Sequence, residues 1–244
     1  MRPIRSLLFA TALLGVLLPA AFAQETNTAI VPEPRDAKWV ARHEGFVQEA
    51  KKGGIDILFL GDSITDFWRN RGSNVWNEYY APRHAANFGI SGDRTQHVLW
   101  RMDHGELDGI KPKVVVLMIG TNNTGKEQNG TQIRNTVPET IAGVQAVVQE
   151  LRAKLPDSKI LLLAIFPRGA SIDDPQRAQV TLINTVIAKL DDGKMVRYLD
   201  IDPKFLDSEG NLPKAIMPDH LHPSERGYRI WAEAMNPTLD EMMK

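Results

Sequence analysis

Five residues of this chain have the types that acyl transfer requires: Ser63, Gly92, Asn122, Asp219 and His222. A serine hydroxyl attacks a carbonyl carbon only when a base takes its proton. A histidine base in turn needs a partner that fixes its tautomer and stabilises the imidazolium. Asp219 stands three residues before His222, so one turn can supply both base and orienting carboxylate. The tetrahedral oxyanion then needs preorganised donors, and the Ser63 amide, the Gly92 amide and the Asn122 side-chain amide suit that task. Gly92 has no side chain, which lets its N–H approach a substrate closely. Taken singly, each has an ordinary reading: Asp62 or Ser63 as a helix cap, glycine and asparagine as turn residues, His222 as a surface residue. Their joint placement is what points to chemistry.

That placement follows from the elements around them. Gly61-Asp62-Ser63-Ile64-Thr65 follows an apolar run at Ile55–Leu60, Gly89–Asp93 follows Ala85–Phe88, and Gly120–Asn123 follows Val114–Ile119. Further runs at Ile160–Phe166 and Val196–Leu199 complete about five short strands of the kind buried on both faces of a parallel sheet. Between and around them apolar residues recur at helical spacing. One set is Trp39, Phe46, Val47 and Ala50, ended by Gly53-Gly54, and another runs from Val137 to Leu155 behind Pro138. A third joins Val180, Ile183, Ile187 and Leu190; a fourth joins Tyr228, Trp231, Ala232, Met235 and Leu239, with Pro237 expected to bend or break it. Alternating strands and helices predict a doubly wound α/β sheet of about five parallel strands with helices on both faces, whose site lies beyond the carboxyl ends of the strands.

The chain has 244 residues, 43% of them hydrophobic, and a formal charge of −1, which describes one ordinary globular domain, taken as residues 38–244. Cysteine is absent, so thiolate nucleophiles and cysteine-ligated metals are excluded. Residues 1–23, with Arg2 and Arg5, an apolar run from Leu7 to Leu18 and Ala-Phe-Ala before Gln24, have the pattern of a cleaved export signal. A retained anchor is the rival reading. Export places the protein in the periplasm or outside the cell. Cleavage leaves 27 basic against 30 acidic side chains, and nothing in that balance asks for nucleic acid or an anionic membrane. Residues 24–37, polar and with two prolines, are expected to form a flexible leader on the domain surface.

The stretches GDSIT, NFGISGDRT, GTNN and DHLH resemble, in order, the four signature blocks of the SGNH (GDSL-type) hydrolase family. Within that family, NFGISGDRTQHVLWRM, KPKVVVLMIGTNN and FPRG are similar to the catalytic subunits of intracellular platelet-activating-factor acetylhydrolase. The resemblance implies a flavodoxin-like α/β/α sandwich that hydrolyses an ester without metal or cofactor through an acyl-enzyme at Ser63. It also implies that Ile64, Thr121 and Leu221 shape an acyl pocket for acetyl or another short group. Two features set this chain apart from those subunits: the export signal, and Pro223-Ser224-Glu225-Arg226 after the histidine, where they carry a threonine and glycines. The expected partner is a small-molecule ester, an acetylated sugar or lipid; monomer and homodimer both stay open.

Two other function classes compete. His220 and His222, one residue apart with Asp219 alongside, have the alternation of metal ligands for a metal-dependent hydrolase, which leaves GDSIT, Gly92 and Asn122 without a task. A non-catalytic ligand-binding module on the same fold has no need to keep a whole triad. Asp62 is read as bracing its turn and Asp93 with Arg94 as a surface pair, while His43, His84, His97 and His104 are read as structural.

Overall fold

The computed structural model describes residues 26–127 and 130–244; the expected export signal at residues 1–23 lies outside them. Strands β1 (Ile57–Gly61), β2 (Ala85–Gly89), β3 (Val114–Met118), β4 (Lys159–Leu163) and β5 (Val196–Leu199) form one parallel sheet ordered β2-β1-β3-β4-β5. Its helices are α1 (Ala37–Lys52), α2 (Ser63–Asp66), α3 (Ser73–Tyr79), α4 (Thr95–Asp103), α5 (Val137–Lys154), α6 (Pro175–Ile187) and α7 (Glu225–Met242). Side chains alternate across each strand, and here both faces are covered. Leu58 and Leu60 of β1 enter the apolar cluster shared with α1, α4, α5 and α6, whereas Ile57 and Phe59 enter the one shared with α2, α3 and α7. The result is the three-layer α/β/α sandwich the alternation predicts. Among the described residues no helix is long and apolar enough to cross a membrane.

This order puts β1 at the point where the winding reverses, between β2 and β3. Connections leaving neighbouring strands there turn to opposite faces, which opens a crevice beyond the carboxyl ends. Register brings those ends level, since Gly61 pairs with both Gly89 and Met118. Ser63, Gly92 and Asn122 thus leave three adjacent strands at one edge.

The structure departs from the sequence reading in three places. Residues 26–36 are pinned to the domain instead of forming a loose leader: Ala29 is fully buried, its carbonyl accepts from Thr95 Oγ1 at 2.7 Å, and Thr28 Oγ1 accepts from Asn135 Nδ2 at 2.9 Å. Asp36 then caps α1, taking the Lys38 and Trp39 amides at 2.9 and 3.1 Å. The fourth apolar run outlasts its strand, because Ala164–Phe166 stay buried while the Ile165 amide leaves the sheet to donate to Asn184 Oδ1 at 2.9 Å. Pro237 leaves α7 unbroken. Pro237 and Glu233, whose carbonyl a proline four residues on deprives of its donor, both lie on the exposed face, where that carbonyl is open to solvent.

Candidate active site

Asp62 follows β1 with its side chain turned back on the chain, Oδ1 accepting the Ile64 amide at 2.9 Å. This turn starts α2 at Ser63 and presents the serine, 7% exposed, at the crevice. On the opposite wall, before α7, Asp219 Oδ1 accepts the amides of His222 at 2.7 Å and Leu221 at 3.2 Å, closing a tight turn. That turn leaves Asp219 Oδ2 2.9 Å from His222 Nδ1, and His222 Nε2 2.9 Å from Ser63 Oγ. Nδ1–H donates to the carboxylate, so Nε2 is the nitrogen free to accept the serine proton. Although partial burial opposes ionisation, the amide, ring and charge of His222 and the Leu221 amide hold the Asp219 carboxyl down to about 2. It is an anion throughout the neutral range.

Gly92 has φ +85°, a region that disfavours any side chain, and its Cα face is covered by the Arg35 guanidinium. Asn122 lies in a single 3-10 turn after β3 and donates Nδ2–H to the Asp93 carbonyl at 2.9 Å, tying the loop that holds Gly92 to the β3 end. Ile64 is fully buried and Thr121 is 1% exposed, while Leu221 is half-buried against the cluster that holds Ile64. The Thr121 carbonyl accepts from Arg168 Nη1 at 3.1 Å, so an arginine after β4 braces the turn that carries Asn122.

Behind this edge lies a buried charge chain. Asp93 is fully buried and is no surface partner of Arg94, which instead pairs with Glu127 at 2.7 Å. The Asp93 carboxylate meets Trp39 Nε1 at 2.6 Å, Arg101 Nε at 3.1 Å and Arg35 Nη1 at 3.2 Å. Burial pushes its carboxyl up to about 6 against the pull of Arg101, leaving the anion at neutral pH. Among the histidines read as structural, His43 and His84 do have carboxylates beside them, Glu106 at 3.3 Å and Asp56 at 3.0 Å. His97 accepts the Arg94 amide at Nδ1, and burial pushes its ring down to about 3. His220 turns Nδ1 to the Leu212 carbonyl at 2.9 Å, away from His222. Among the described residues no three His, Asp or Glu side chains are grouped to hold a metal ion. The pairing proposed for the metal reading is therefore not formed.

Residues 59–230 match the GDSL-like lipase/acylhydrolase family. The chain belongs to that family. Platelet-activating factor acetylhydrolase IB subunit alpha1 of Homo sapiens is 35% identical to it over 221 residues, 88% of this chain and 90% of that protein. The alpha2 subunit of Rattus norvegicus is 37% identical over 226 residues, 90% and 93% of the two chains. Solved structures of an acetylxylan esterase from Geobacillus stearothermophilus (TM-score 0.60, 23% identity, 78% of this chain and 94% of that one) share the fold. So does a GDSL-like lipase from Bacteroides thetaiotaomicron (TM-score 0.64, 18% identity, 82% and 98%). The family member described here is accordingly a hydrolase of esters.

Asp62 supplies a prediction about this site's stability. It is fully buried, with Oδ2 lacking a hydrogen-bond partner among the described residues, and burial pushes its carboxyl up to about 7, with Asp93 adding to the effect. The folded chain therefore holds a proton that the unfolded chain releases near 3.8, and this group's contribution to stability falls as pH rises from about 4 to 7. Asp62→Asn keeps the acceptor for the Ile64 amide and removes the charge. Thermal unfolding across pH 4 to 8 should show the variant gaining on the wild type as pH rises, with the two converging at pH 4. Parallel curves would mean that Asp62 is ionised in the folded protein.

Proposed function

We propose that this hydrolase is exported and removes short acyl groups, acetyl foremost, from a carbohydrate or small lipid through an acyl-enzyme at Ser63. The observation that carries the reading is the unbroken line from Asp219 Oδ2 through His222 to Ser63 Oγ, with both gaps at 2.9 Å. In the first half-reaction the serine proton passes to Nε2 as Oγ bonds to the carbonyl carbon. Collapse of the tetrahedral adduct breaks the ester C–O bond, and the imidazolium returns the proton to the leaving alkoxide. Water repeats the sequence with the acyl-serine as the ester. The Ser63 and Gly92 amides and Asn122 Nδ2 serve the oxyanion. Removing one such donor costs about 10²- to 10³-fold in kcat, which is the loss expected for Asn122→Ala.

The acetyl preference is drawn from the names of similar proteins, an acetylhydrolase and an acetylxylan esterase, and from the family resemblance, which gives Ile64, Thr121 and Leu221 the acyl pocket. Export is drawn from residues 1–23. The test is a p-nitrophenyl ester series of increasing acyl length with a serine-directed phosphonate as inhibitor. The reading requires stoichiometric inactivation and a rate that falls beyond a few carbons. Full activity after phosphonate treatment would overturn it.

Because a neutral imidazole is needed, kcat/KM should fall on the acid side. Asp219 cannot supply that limb, since its carboxyl titrates at about 2. Asp62, near 7, is the competing source. A limb that persists in Asp62→Asn therefore belongs to the base, and a limb that vanishes there does not.

A further inference from the structure

The turn between α2 and α3 puts a cation on the catalytic pair. Gly72 allows the turn to sit tightly, because a Cβ there would lie 2.7 Å from the Trp68 ring and 2.8 Å from the Tyr228 ring. The residue before it, Arg71, is thereby held over the Phe67 ring, with the guanidinium 5.2 Å from its centroid. Arg71 Nη1 lies 3.4 Å from Asp219 Oδ2, the oxygen that also accepts His222 Nδ1–H, and 3.5 Å from the His222 carbonyl. Phe67 packs its ring 4.9 Å from the His222 ring. Arginine and phenylalanine together thus grip the base and its carboxylate from the side of the nucleophile's own helix.

We propose that Arg71 is a positioning residue of the Asp219–His222 pair, which it tethers to the Ser63 wall and whose proton affinity it lowers by sharing the Asp219 charge. The inference rests on the reading of Ser63 and His222 as nucleophile and base. Its sign follows from elementary electrostatics: the anion stabilises the imidazolium, and a cation on the same oxygen offsets part of that stabilisation. The base therefore stays neutral, and competent, to lower pH than it would without Arg71. Other charged and titratable groups around the pair are already engaged. Asp66 is held by Arg42 and Arg69, Glu225 accepts from Asn74, Tyr228 donates its hydroxyl proton to the Ile64 carbonyl, and His220 faces Leu212. Asp62 lies behind the nucleophile, its carboxyl raised by burial.

The test compares wild type, R71Q and R71K with p-nitrophenyl acetate from pH 5 to 9, at about 0.01 M and about 1 M salt, following acetate release. For R71Q at low salt the acid limb of kcat/KM should move up by about half a unit, a modest shift because the guanidinium is partly exposed and screened. R71K, which keeps the charge, should stay with the wild type. At high salt the gap between R71Q and wild type should close as the Debye length shrinks from about 30 Å to about 3 Å. The plateau kcat of R71Q should fall several-fold with KM little changed, the mark of a lost tether as opposed to a lost substrate contact. Coincident limbs at low salt, or an equal shift in R71K, would overturn the proposal. A raised KM on an unmoved limb would overturn it as well, placing Arg71 on the substrate. Ser63→Ala is run alongside: if it is inactive, such results count against Arg71 alone, and if it is fully active the reading of the nucleophile has itself failed.

Discussion

Replacing Ser63 by alanine should lower kcat/KM on p-nitrophenyl acetate by at least about 10⁴-fold, because among the described residues no other hydroxyl is hydrogen-bonded to His222. Residual turnover, if measurable, would come from the oxyanion donors and from binding. The fold should scarcely notice. Ser63 Oγ has His222 as its partner, and His222 is partly exposed, so a water can take the vacated place and the stability cost should stay below about 1 kcal/mol. A large loss of rate in a protein whose melting temperature moves by at most a few degrees separates removal of a nucleophile from unfolding. A variant that hydrolyses the ester at the wild-type rate would assign the chemistry to some other group.

Much of this site was legible because its residues sit at strand ends, where apolar runs stop and polar clusters begin. The buried strands of a parallel sheet announce themselves, and the rule that sites lie beyond their carboxyl ends then brings residues 63, 92 and 122 together. Asp219 and His222 were legible for a local reason, their three-residue spacing. What stayed hidden depends on contacts between distant positions or on polar groups in unexpected places. Helix α4 is one case: Gln96, His97 and Arg101 are buried within it, which breaks the apolar period that marks a helix. Arg35 reaches Asp93 across 58 positions and Arg71 reaches Asp219 across 148, and no spacing in the chain announces either. Asp93 read as a surface residue because aspartate usually is one. Its burial follows from Arg101 of α4, Trp39 of α1 and Arg35 of the segment before α1 all meeting it.

The same buried charges carry the largest expected effect on stability, through Arg101. Its side chain is fully buried. It meets Asp93 Oδ2 at 3.1 Å and both Glu106 carboxylate oxygens at 3.0 and 2.9 Å, and it donates to the Phe88 carbonyl at 2.8 Å. A further Nη2 contact reaches the Gly61 carbonyl at 3.4 Å. Arg101→Met fills much of the volume but takes the arginine from Glu106 and leaves Asp93 with Arg35 alone, and breaking a buried pair from one side costs about 3–5 kcal/mol. For a domain of this size that corresponds to a fall in melting temperature of roughly 10 °C at pH 7, given about 2–4 °C per kcal/mol. The deficit should shrink as pH falls. With its main cation gone the Asp93 carboxyl, already raised to about 6 by burial, must rise further, so the folded variant takes up a proton that the unfolded chain does not, and stability returns as pH drops through that range. Adding Asp93→Asn and Glu106→Gln to Arg101→Met should recover part of the loss at pH 7, and a triple variant no more stable than the single one would show that the cost lay in packing instead. Activity should fall with stability even well below the melting temperature. Gly61 and Phe88 are one residue from the ends of β1 and β2 or at them, and Asp93 holds the loop that Asn122 ties to β3, so a displacement there of about 1 Å moves the oxyanion donors relative to Ser63 and costs on the order of 10²-fold in kcat. Full kcat in the folded Arg101→Met variant would mean that the strand ends keep their register without the charge chain behind them.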